Sequence, residues 1–255
     1  MPAPRLFVDA SLASAVEVPL DADQAGYLGR VMRLGAGSDV RLFNGQDGEW
    51  RARIADIGKR GATLQVDTQT RPQATPPDLE LWFAPVKRQG TDWIVEKATE
   101  LGVRTLRPVL TKRTIAETVR VDRLAAIARE AAEQTERLDV PTVAPPVTLA
   151  QALDGWDPDR GLIYADESGE DPDDAWGGTS GRAPPLAAAP LASWAKLAVL
   201  TGPEGGFDPA ERRLLRARAG VMPVSLGPRI LRAETAACAT LAVVQALWGD
   251  WRGQV

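Results

Sequence analysis

The chain has 255 residues, of which 44% are hydrophobic and 25% are charged, so it can bury a substantial core, and disordered and fibrous classes are excluded. It contains no histidine and one cysteine, Cys238, which excludes catalysis by an imidazole base, an internal disulfide and the usual ligand sets of zinc, copper and iron. The formal net charge is −4, and residues 1–20 carry no charged-then-apolar leader, so we expect a cytoplasmic protein without a metal or a membrane-spanning segment.

Residues 1–71 have the pattern of a small β-barrel. The predicted strands, short and alternating or apolar, are residues 5–9, 15–20, 39–43, 49–57 and 62–68. Asn-Gly and Asp-Gly dipeptides at positions 44–45 and 47–48 favour a hairpin between the third and fourth strands. One helix is predicted at residues 21–34. Residues 72–78 contain several prolines and no periodicity, which indicates a linker.

Residues 79–255 change to an alternation of strands and helices. The predicted strands are residues 79–86, 105–110, 161–165, 197–201 and 221–226. Helices are predicted at residues 91–101, 121–137 and 235–248. This alternation is typical of an α/β domain on a parallel sheet, in which ligands bind beyond the carboxyl ends of the strands.

Acidic residues are concentrated in one short stretch of the second region. Its members are Asp166, Glu167, Glu170, Asp171, Asp173 and Asp174. The surrounding segment, residues 167–195, is rich in Asp, Gly, Pro and Ala, and we expect a solvated, mobile loop without a chemical role. Outside the acidic stretch, basic residues slightly exceed acidic ones, so a local basic face is permitted.

A glycine-bearing turn leaves the strand at residues 197–201. Its residues are Gly202, Pro203, Glu204, Gly205 and Gly206. Asp208, Pro209 and Glu211 then fit the cap, first position and capping box of a helix. Glycines let a ligand approach main-chain groups, although a tight turn without a ligand fits the same pattern. Neither GxGxxG nor Gly-Lys-Ser/Thr occurs, so dinucleotide-binding and P-loop sites are excluded.

A second turn, after the last predicted strand, opens the final helix. Arg229, Arg232 and Glu234 crowd its start, where a functional role competes with structural ion pairs, either Arg232–Glu234 or Glu204–Arg229. The helix at 235–248 is almost wholly apolar, so it must be buried in the core or against a second subunit. Its cysteine is expected to be a small core residue, since no base is available to activate it.

Five segments, in order along the chain, resemble the motifs of the RsmE family of 16S ribosomal RNA (uracil-N3) methyltransferases, which belong to the SPOUT superfamily. They are Tyr27-Leu28-Gly29-Arg30-Val31-Met32-Arg33, Glu96-Lys97-Ala98-Thr99-Glu100-Leu101-Gly102-Val103, Glu130-Ala131-Ala132-Glu133-Gln134, Gly202-Pro203-Glu204-Gly205-Gly206 and Leu226-Gly227-Pro228-Arg229-Ile230-Leu231-Arg232-Ala233-Glu234-Thr235-Ala236. The last two are the most specific. Tyr27 stands where the family usually has histidine.

The resemblance implies an N-terminal PUA-like β-barrel for RNA binding, a C-terminal α/β SPOUT domain with a trefoil knot, a homodimer and S-adenosyl-L-methionine as methyl donor. On the family pattern, the cofactor site comprises Leu200, Thr201, Gly202, Pro203, Glu204, Gly205, Gly206, Leu226, Gly227, Ile230, Leu231, Thr235 and Ala236. Main-chain groups of these turns would bind the adenine.

The implied reaction is methylation of N3 of a uridine in 16S rRNA of the small ribosomal subunit. An arginine, Arg229 or Arg232, would stabilise the charge that develops on the uracil, and a carboxylate, Glu234 or Glu204, would take the N3 proton. Two alternatives stay open. One is a related RNA methyltransferase acting on a ribose 2′-hydroxyl or another base, and the other is a non-catalytic RNA-binding factor in ribosome assembly.

RNA binding is expected to use basic side chains of both regions. The predicted contacts are Arg5, Arg30, Arg33, Arg51, Arg53, Arg88 and Lys97, and the same regions also offer Arg41, Lys59, Arg60, Lys87 and Arg113. Contacts from such residues to phosphates would make the binding sensitive to salt.

Overall fold

The fold is given by a computed structural model. It describes residues 3–116, 118–170, 173 and 178–253, so Asp171 and Asp174 of the acidic stretch lie outside the described residues. The chain forms two compact units. One comprises Met1–Thr75 and Arg129–Val140, and the other comprises Pro76–Ala128 and Pro141–Val255.

The first unit is built on a five-stranded sheet. Its strands are β1 (Arg5–Phe7), β2 (Glu17–Leu20), β3 (Asp39–Phe43), β4 (Glu49–Gly58) and β5 (Gly61–Arg71). The order is β1-β3-β4-β5-β2, and every pair is antiparallel except β1 with β3. Alternate residues such as Val40, Leu42 and Leu64 are fully buried in one apolar core, which is why the predicted alternation locates the strands.

The helix predicted at residues 21–34 is shorter in the structure. α1 spans Ala22–Gly26 and begins with a capping box between Asp21 and Gln24. It continues as a π-helical turn, Tyr27–Val31, in which the Met32 N–H donates to the Tyr27 carbonyl at 2.9 Å. The wider turn and the positive φ of Arg33 (57°) end the helix before residue 34.

The end of α3 (Val121–Gln134) belongs to the first unit, which the predicted boundaries at 71 and 79 did not include. Arg5 holds it there, donating to the carbonyls of Ala132 and Glu133, both at 3.0 Å. The Glu133 carboxylate in turn accepts the N–H of Phe7 at 2.9 Å. These bonds satisfy carbonyls that a helix end leaves without partners.

The second unit has a seven-stranded, parallel sheet. Its strands are β6 (Leu79–Phe83), β7 (Thr105–Leu110), β8 (Thr142–Val143), β9 (Val147–Thr148), β10 (Arg160–Ala165), β11 (Lys196–Thr201) and β12 (Val221–Val224). The order is β12-β10-β11-β6-β7-β8, and β9 also pairs with β7. The sheet's buried strands confirm the predicted alternation, while β8 and β9 were not predicted.

Helices cover this sheet. They are α2 (Arg88–Glu100), the start of α3, α4 (Leu149–Asp154), α5 (Pro209–Ala217) and α6 (Ala233–Leu247). At α5 the predicted capping box is confirmed, because Asp208 accepts the Ala210 N–H and its own N–H donates to Glu211. In the described part of the chain, no helix is both long and apolar enough to cross a bilayer.

Candidate functional site

The two glycine-bearing turns meet in one cleft, which we call the cofactor cleft after the predicted cofactor residues that line it. The first turn follows β11 and the second follows β12, and the end of β10 lies between them in the sheet. The lining residues are Ala165, Asp166, Glu167, Ser168, Gly202, Pro203, Glu204, Gly206, Phe207, Arg212, Ile230, Leu231, Ala233 and Ala236. Because the strands are parallel, all three contribute their carboxyl ends to the same edge.

The glycines of these turns have distinct physical roles. At Gly202 a Cβ atom would collide with the ring of Phe207, which packs edge-on against Tyr164 with 5.0 Å between ring centroids. Gly206 and Gly227 have φ values of +67° and +112°, which only glycine adopts without strain. The first turn therefore needs glycine for close packing and for backbone conformation.

The predicted cofactor residues divide into two groups. Those that line the cleft are Gly202, Pro203, Glu204, Gly206, Ile230, Leu231 and Ala236. Those outside its lining are Leu200, Thr201, Gly205, Leu226, Gly227 and Thr235. Leu200 and Thr201 are buried in β11, while the Gly205 carbonyl accepts a hydrogen bond from Arg113 at 2.9 Å.

Sequence reasoning missed the contribution of β10. Asp166 is almost fully buried and forms ion pairs with Arg212 (3.0 Å) and Arg216 (2.8 Å) of α5. Arg212 also donates to the carbonyls of Ser168 (2.7 Å) and Gly169 (3.2 Å). The start of the segment expected to be mobile is thus fixed by two arginines and lines the cleft. This contribution was not predicted because the sequence does not show the strand order that places β10 between the strands of the two turns.

Glu167 links β10 to the second turn. Its carboxylate accepts the Leu226 N–H at 2.8 Å and lies 3.5 Å from the Ser225 hydroxyl. Burial raises the pKa of Glu167, and the Leu226 hydrogen bond offsets only part of this effect. The carboxylate thus joins the segment after β10 to the second turn, and Glu167 lines the cofactor cleft. Glu167 and Ser168, which belong to the segment expected to lack a chemical role, both line the cofactor cleft.

A second cleft, the transfer cleft, adjoins the cofactor cleft. It is lined by Lys87, Ile115, Glu204, Ile230, Leu231, Arg232 and Glu234, and it shares Glu204, Ile230 and Leu231 with its neighbour. Neither Arg232–Glu234 nor Glu204–Arg229 forms an ion pair among the described residues. Arg229 is exposed and lines neither cleft. Of the two candidate arginines, only Arg232 is placed beside the candidate carboxylates.

The predicted RNA contact Arg5 is not available to a phosphate. Its side chain is 6% exposed and pairs with the fully buried Glu49 at 2.7 Å. Its remaining nitrogens donate to carbonyls of Ala132, Glu133 and Arg137. Arg5 is therefore a structural residue of the first unit, which corrects the expectation from sequence.

The other predicted RNA contacts differ in how far they are paired. Arg51 and Arg53 form ion pairs with Asp67 and Asp39, and Lys97 with Glu96 and Glu100. Those that are exposed and have no carboxylate partner in the described ranges are Arg30, Arg33 and Arg88.

Cys238 is half-buried, and burial raises the pKa of its thiol, as expected for an unreactive cysteine.

Family matches cover most of the chain. Residues 73–245 match an RNA methyltransferase domain, and residues 20–67 match an RNA methyltransferase PUA domain. A ribosomal RNA small subunit methyltransferase E of Rickettsia conorii is 31% identical over 244 residues, covering 95% of each chain. One of the same name from Synechocystis sp. is 34% identical over 247 residues, covering 95% of this chain and 77% of the relative.

Solved structures agree with these matches. A ribosomal RNA small subunit methyltransferase E from Neisseria gonorrhoeae bound to S-adenosyl methionine has a TM-score of 0.84 and 28% identity, covering 98% of this chain and 99% of that one. A putative methyltransferase from Legionella pneumophila in complex with the same cofactor has a TM-score of 0.85 and 26% identity, covering 98% and 100%. The predicted fold class, a PUA-like barrel followed by an α/β SPOUT domain, is confirmed. The chain belongs to the ribosomal RNA small subunit methyltransferase E family.

Proposed function

We propose that this RNA methyltransferase, acting in the cytoplasm as a homodimer, transfers a methyl group from S-adenosylmethionine to N3 of a uridine in 16S rRNA. The observation that carries the proposal is the pair of adjoining clefts. One is formed by the two glycine-bearing turns, and the other presents Arg232, Glu204 and Glu234 without ion pairs among the described residues. Their shared lining is where a donor and an acceptor would meet.

The residues of the cofactor cleft fit an adenosyl group. The turns around Gly202 and Gly206 leave main-chain groups open to a ligand, and Ile230, Leu231 and Ala236 supply an apolar wall. When bound, S-adenosylmethionine supplies a sulfonium methyl group for in-line displacement by a nucleophile. The task of the chain is to align the two reactants and to exclude water.

Glu167 adds a polar contact that the apolar wall lacks. A carboxylate accepts hydrogen bonds from the hydroxyls of a ribose, and this one is held at the cleft by the Leu226 N–H. We assign Glu167 to the ribose hydroxyls of the cofactor. The carboxylate of Asp166 is already occupied by Arg212 and Arg216, so it is a positioning residue.

In the transfer cleft, Arg232 is assigned to the uracil. As the N3 proton leaves, negative charge spreads to the neighbouring carbonyl oxygens, and a guanidinium beside them stabilises it. The side chain is exposed and has no carboxylate partner in the part of the chain that the structure describes, so its donors are free for the substrate. Lys87 lines the same cleft and adds positive charge.

The N3 proton is assigned to a carboxylate of the transfer cleft. Glu204 lines both clefts and so lies at the junction of donor and acceptor, which favours it as the base. Glu234 lines the transfer cleft alone and is the second candidate. The bond from N3 to the methyl carbon forms as the bond from carbon to sulfur breaks, and the proton stays on the carboxylate until solvent takes it.

A single experiment tests the reaction. The protein is incubated with methyl-labelled S-adenosylmethionine and small ribosomal subunits that lack the modification, and the RNA is then digested to nucleosides. The expected product is N3-methyluridine at one site. A labelled 2′-O-methyl nucleoside or another base would contradict the N3 assignment, and calorimetry that detects no cofactor binding would leave a non-catalytic RNA-binding factor.

The last helix supports the dimer. Ala236, Leu241 and Val244 of α6 are buried, whereas Ala239 and Val243 remain half-exposed on a helix that is almost wholly apolar. A second copy covering that face would remove apolar surface from water. Light scattering should therefore give twice the mass of one chain.

A further inference from the structure

We propose that a third cleft, the outer cleft, binds the nucleotide next to the target uridine. This inference rests on the proposed function, because it takes the transfer cleft as the uridine site. The outer cleft adjoins the transfer cleft, and Lys87 and Ile115 line both. The shared wall gives an RNA strand whose uridine enters the transfer cleft a continuous path for its neighbouring nucleotide.

The floor of the outer cleft is apolar. Val86, Ile115, Val119 and Leu124 contribute to its lining. Ile115 is 66% exposed, although a large apolar side chain of this kind usually lies in a core. Enzymes that bind an unstacked base pack its faces between aromatic or apolar side chains. A nucleobase thus fits this floor.

The rim of the outer cleft is positively charged. Lys87 and Arg88 are exposed, and neither has a carboxylate partner in the described ranges. Two further arginines line the cleft and both are paired, Arg120 with Asp122 and Arg123 with Asp92, which is an acidic residue of the described lining. Basic side chains around an apolar floor match a nucleotide, whose base is uncharged and whose phosphate is anionic.

The charge also argues for one occupant. A second copy of this chain has a net charge of −4, which does not by itself oppose contact with a basic rim. However, an apolar surface of that copy packed on the floor would bury Lys87 and Arg88 without a charged partner, which is costly. A phosphate neutralises those cations directly. We therefore favour RNA and treat a protein interface as an outcome of the experiment.

The test compares two substitutions that each place a carboxylate at an exposed apolar residue. Ile115→Asp puts the charge on the wall that the outer cleft shares with the transfer cleft, and Leu214→Asp puts it at a 47% exposed residue of α5, in a separate groove. Arg88 lines the outer cleft and not the transfer cleft, so Arg88→Gln tests the outer cleft by itself. Affinity for an rRNA fragment that contains the target uridine is measured for the full chain, together with affinity for S-adenosylmethionine and the thermal midpoint.

For Ile115→Asp we expect an affinity for RNA weaker by about tenfold, because the carboxylate replaces apolar surface that packs on the base and repels the phosphate. Cofactor affinity and thermal midpoint should stay those of the wild type, as should all properties of Leu214→Asp. A third variant, Arg88→Gln, should lower the slope of log affinity against log salt by about 0.7.

Each of three results would overturn the inference. The first is an unchanged RNA affinity in Ile115→Asp, and the second is an unchanged salt slope in Arg88→Gln, because Arg88 does not line the transfer cleft. The third is loss of the dimer by Ile115→Asp in light scattering, which would make the cleft an interface between copies. The wild-type product analysis is independent of these measurements, so an incorrect N3 assignment can be told apart from an incorrect role of the outer cleft.

Discussion

Arg5 and Arg232 show how two similar residues of one chain serve opposite purposes. Arg5 is buried, pairs with Glu49 and donates to three carbonyl groups of the first unit. Arg232, in the second unit, is exposed at the edge of the transfer cleft, without an ion pair in the described residues. A guanidinium group whose N–H donors are all hydrogen-bonded inside the protein stabilises the fold. One whose donors have no partner in the protein can instead bind a ligand.

The largest effect is expected at Arg5. Arg5→Met keeps an apolar stem but leaves the buried Glu49 without its main partner and removes donors from three carbonyls. We expect the free energy of unfolding to fall by about 3–5 kcal/mol, the usual effect of breaking a buried pair. Denaturant unfolding followed by circular dichroism measures it. A loss below about 1 kcal/mol would mean that the pair has no such role.

Acidification provides the control for this variant. Burial opposes ionisation of Glu49, but hydrogen bonds from Arg5 and Thr70 outweigh it, so the pKa is lowered. A lowered pKa in the folded state means that the stabilisation is fully present above the ordinary carboxyl pKa, about 4.3, and is lost as pH falls through the lowered value. The difference in unfolding free energy between wild type and Arg5→Met should therefore narrow in acid.

Local patterns sufficed for much of the fold. Strand alternation, Asn-Gly and Asp-Gly dipeptides and the capping box at Asp208 each depend on residues a few positions apart, and the structure contains the strands, the hairpin and the helix they predicted. The two glycine-bearing turns were recognisable for the same reason. Where the local signal was misleading, at residues 27–33, a π-helical turn replaced a regular helix.

Contacts between distant residues could not be read from the sequence. The residues next to Arg5 in the sequence do not indicate that its side chain pairs with Glu49, which is 44 positions away. They also do not indicate its hydrogen bonds to carbonyl groups more than 120 positions away. Likewise Glu167 reaches the cofactor cleft only because β10 is inserted between β11 and β12 in the sheet. Pairing and strand order decide which candidate residues serve the site, and both are properties of the folded chain.

The next largest effect is expected at Arg232 in the transfer cleft. Arg232→Ala should lower kcat by about 100-fold or more, the loss that follows removal of one donor to a developing negative charge. The thermal midpoint and cofactor affinity should not change, because Arg232 has no ion pair among the described residues and does not line the cofactor cleft. Single-turnover methylation of small subunits measures the rate.

Arg229→Ala is the matched control for this variant. Arg229 lies three positions earlier, is exposed and lines neither cleft, so its rate should stay within about twofold of the wild type. Equal losses in the two variants would contradict the distinction between them and return both arginines to the candidate list.

A smaller effect is expected at Glu167, whose charge is used partly by the fold and partly by the cleft. Glu167→Gln weakens the acceptor for the Leu226 N–H and for the ribose hydroxyls, so cofactor affinity should fall by about tenfold, roughly one hydrogen bond to a charged group. Calorimetry with S-adenosylmethionine measures it. The control is Glu170→Gln, a largely exposed carboxylate outside the cleft lining, which should bind normally. Equal affinities of the two variants would remove Glu167 from the cofactor site.

The smallest effects should separate free from paired cations on the first unit. Arg30 is exposed without a carboxylate partner in the described residues, whereas Arg53 lies 3.5 Å from Asp39. If Arg30 contacts a phosphate, Arg30→Gln lowers the slope of log RNA affinity against log salt by about 0.7, which is the release of one counterion from a single strand. Arg53→Gln should change it less, since its charge is already partly balanced by Asp39. Filter binding of rRNA fragments across a salt series measures both slopes. A larger change for Arg53 would show that RNA displaces the surface ion pair, and free donors would then no longer identify the residues that bind a ligand.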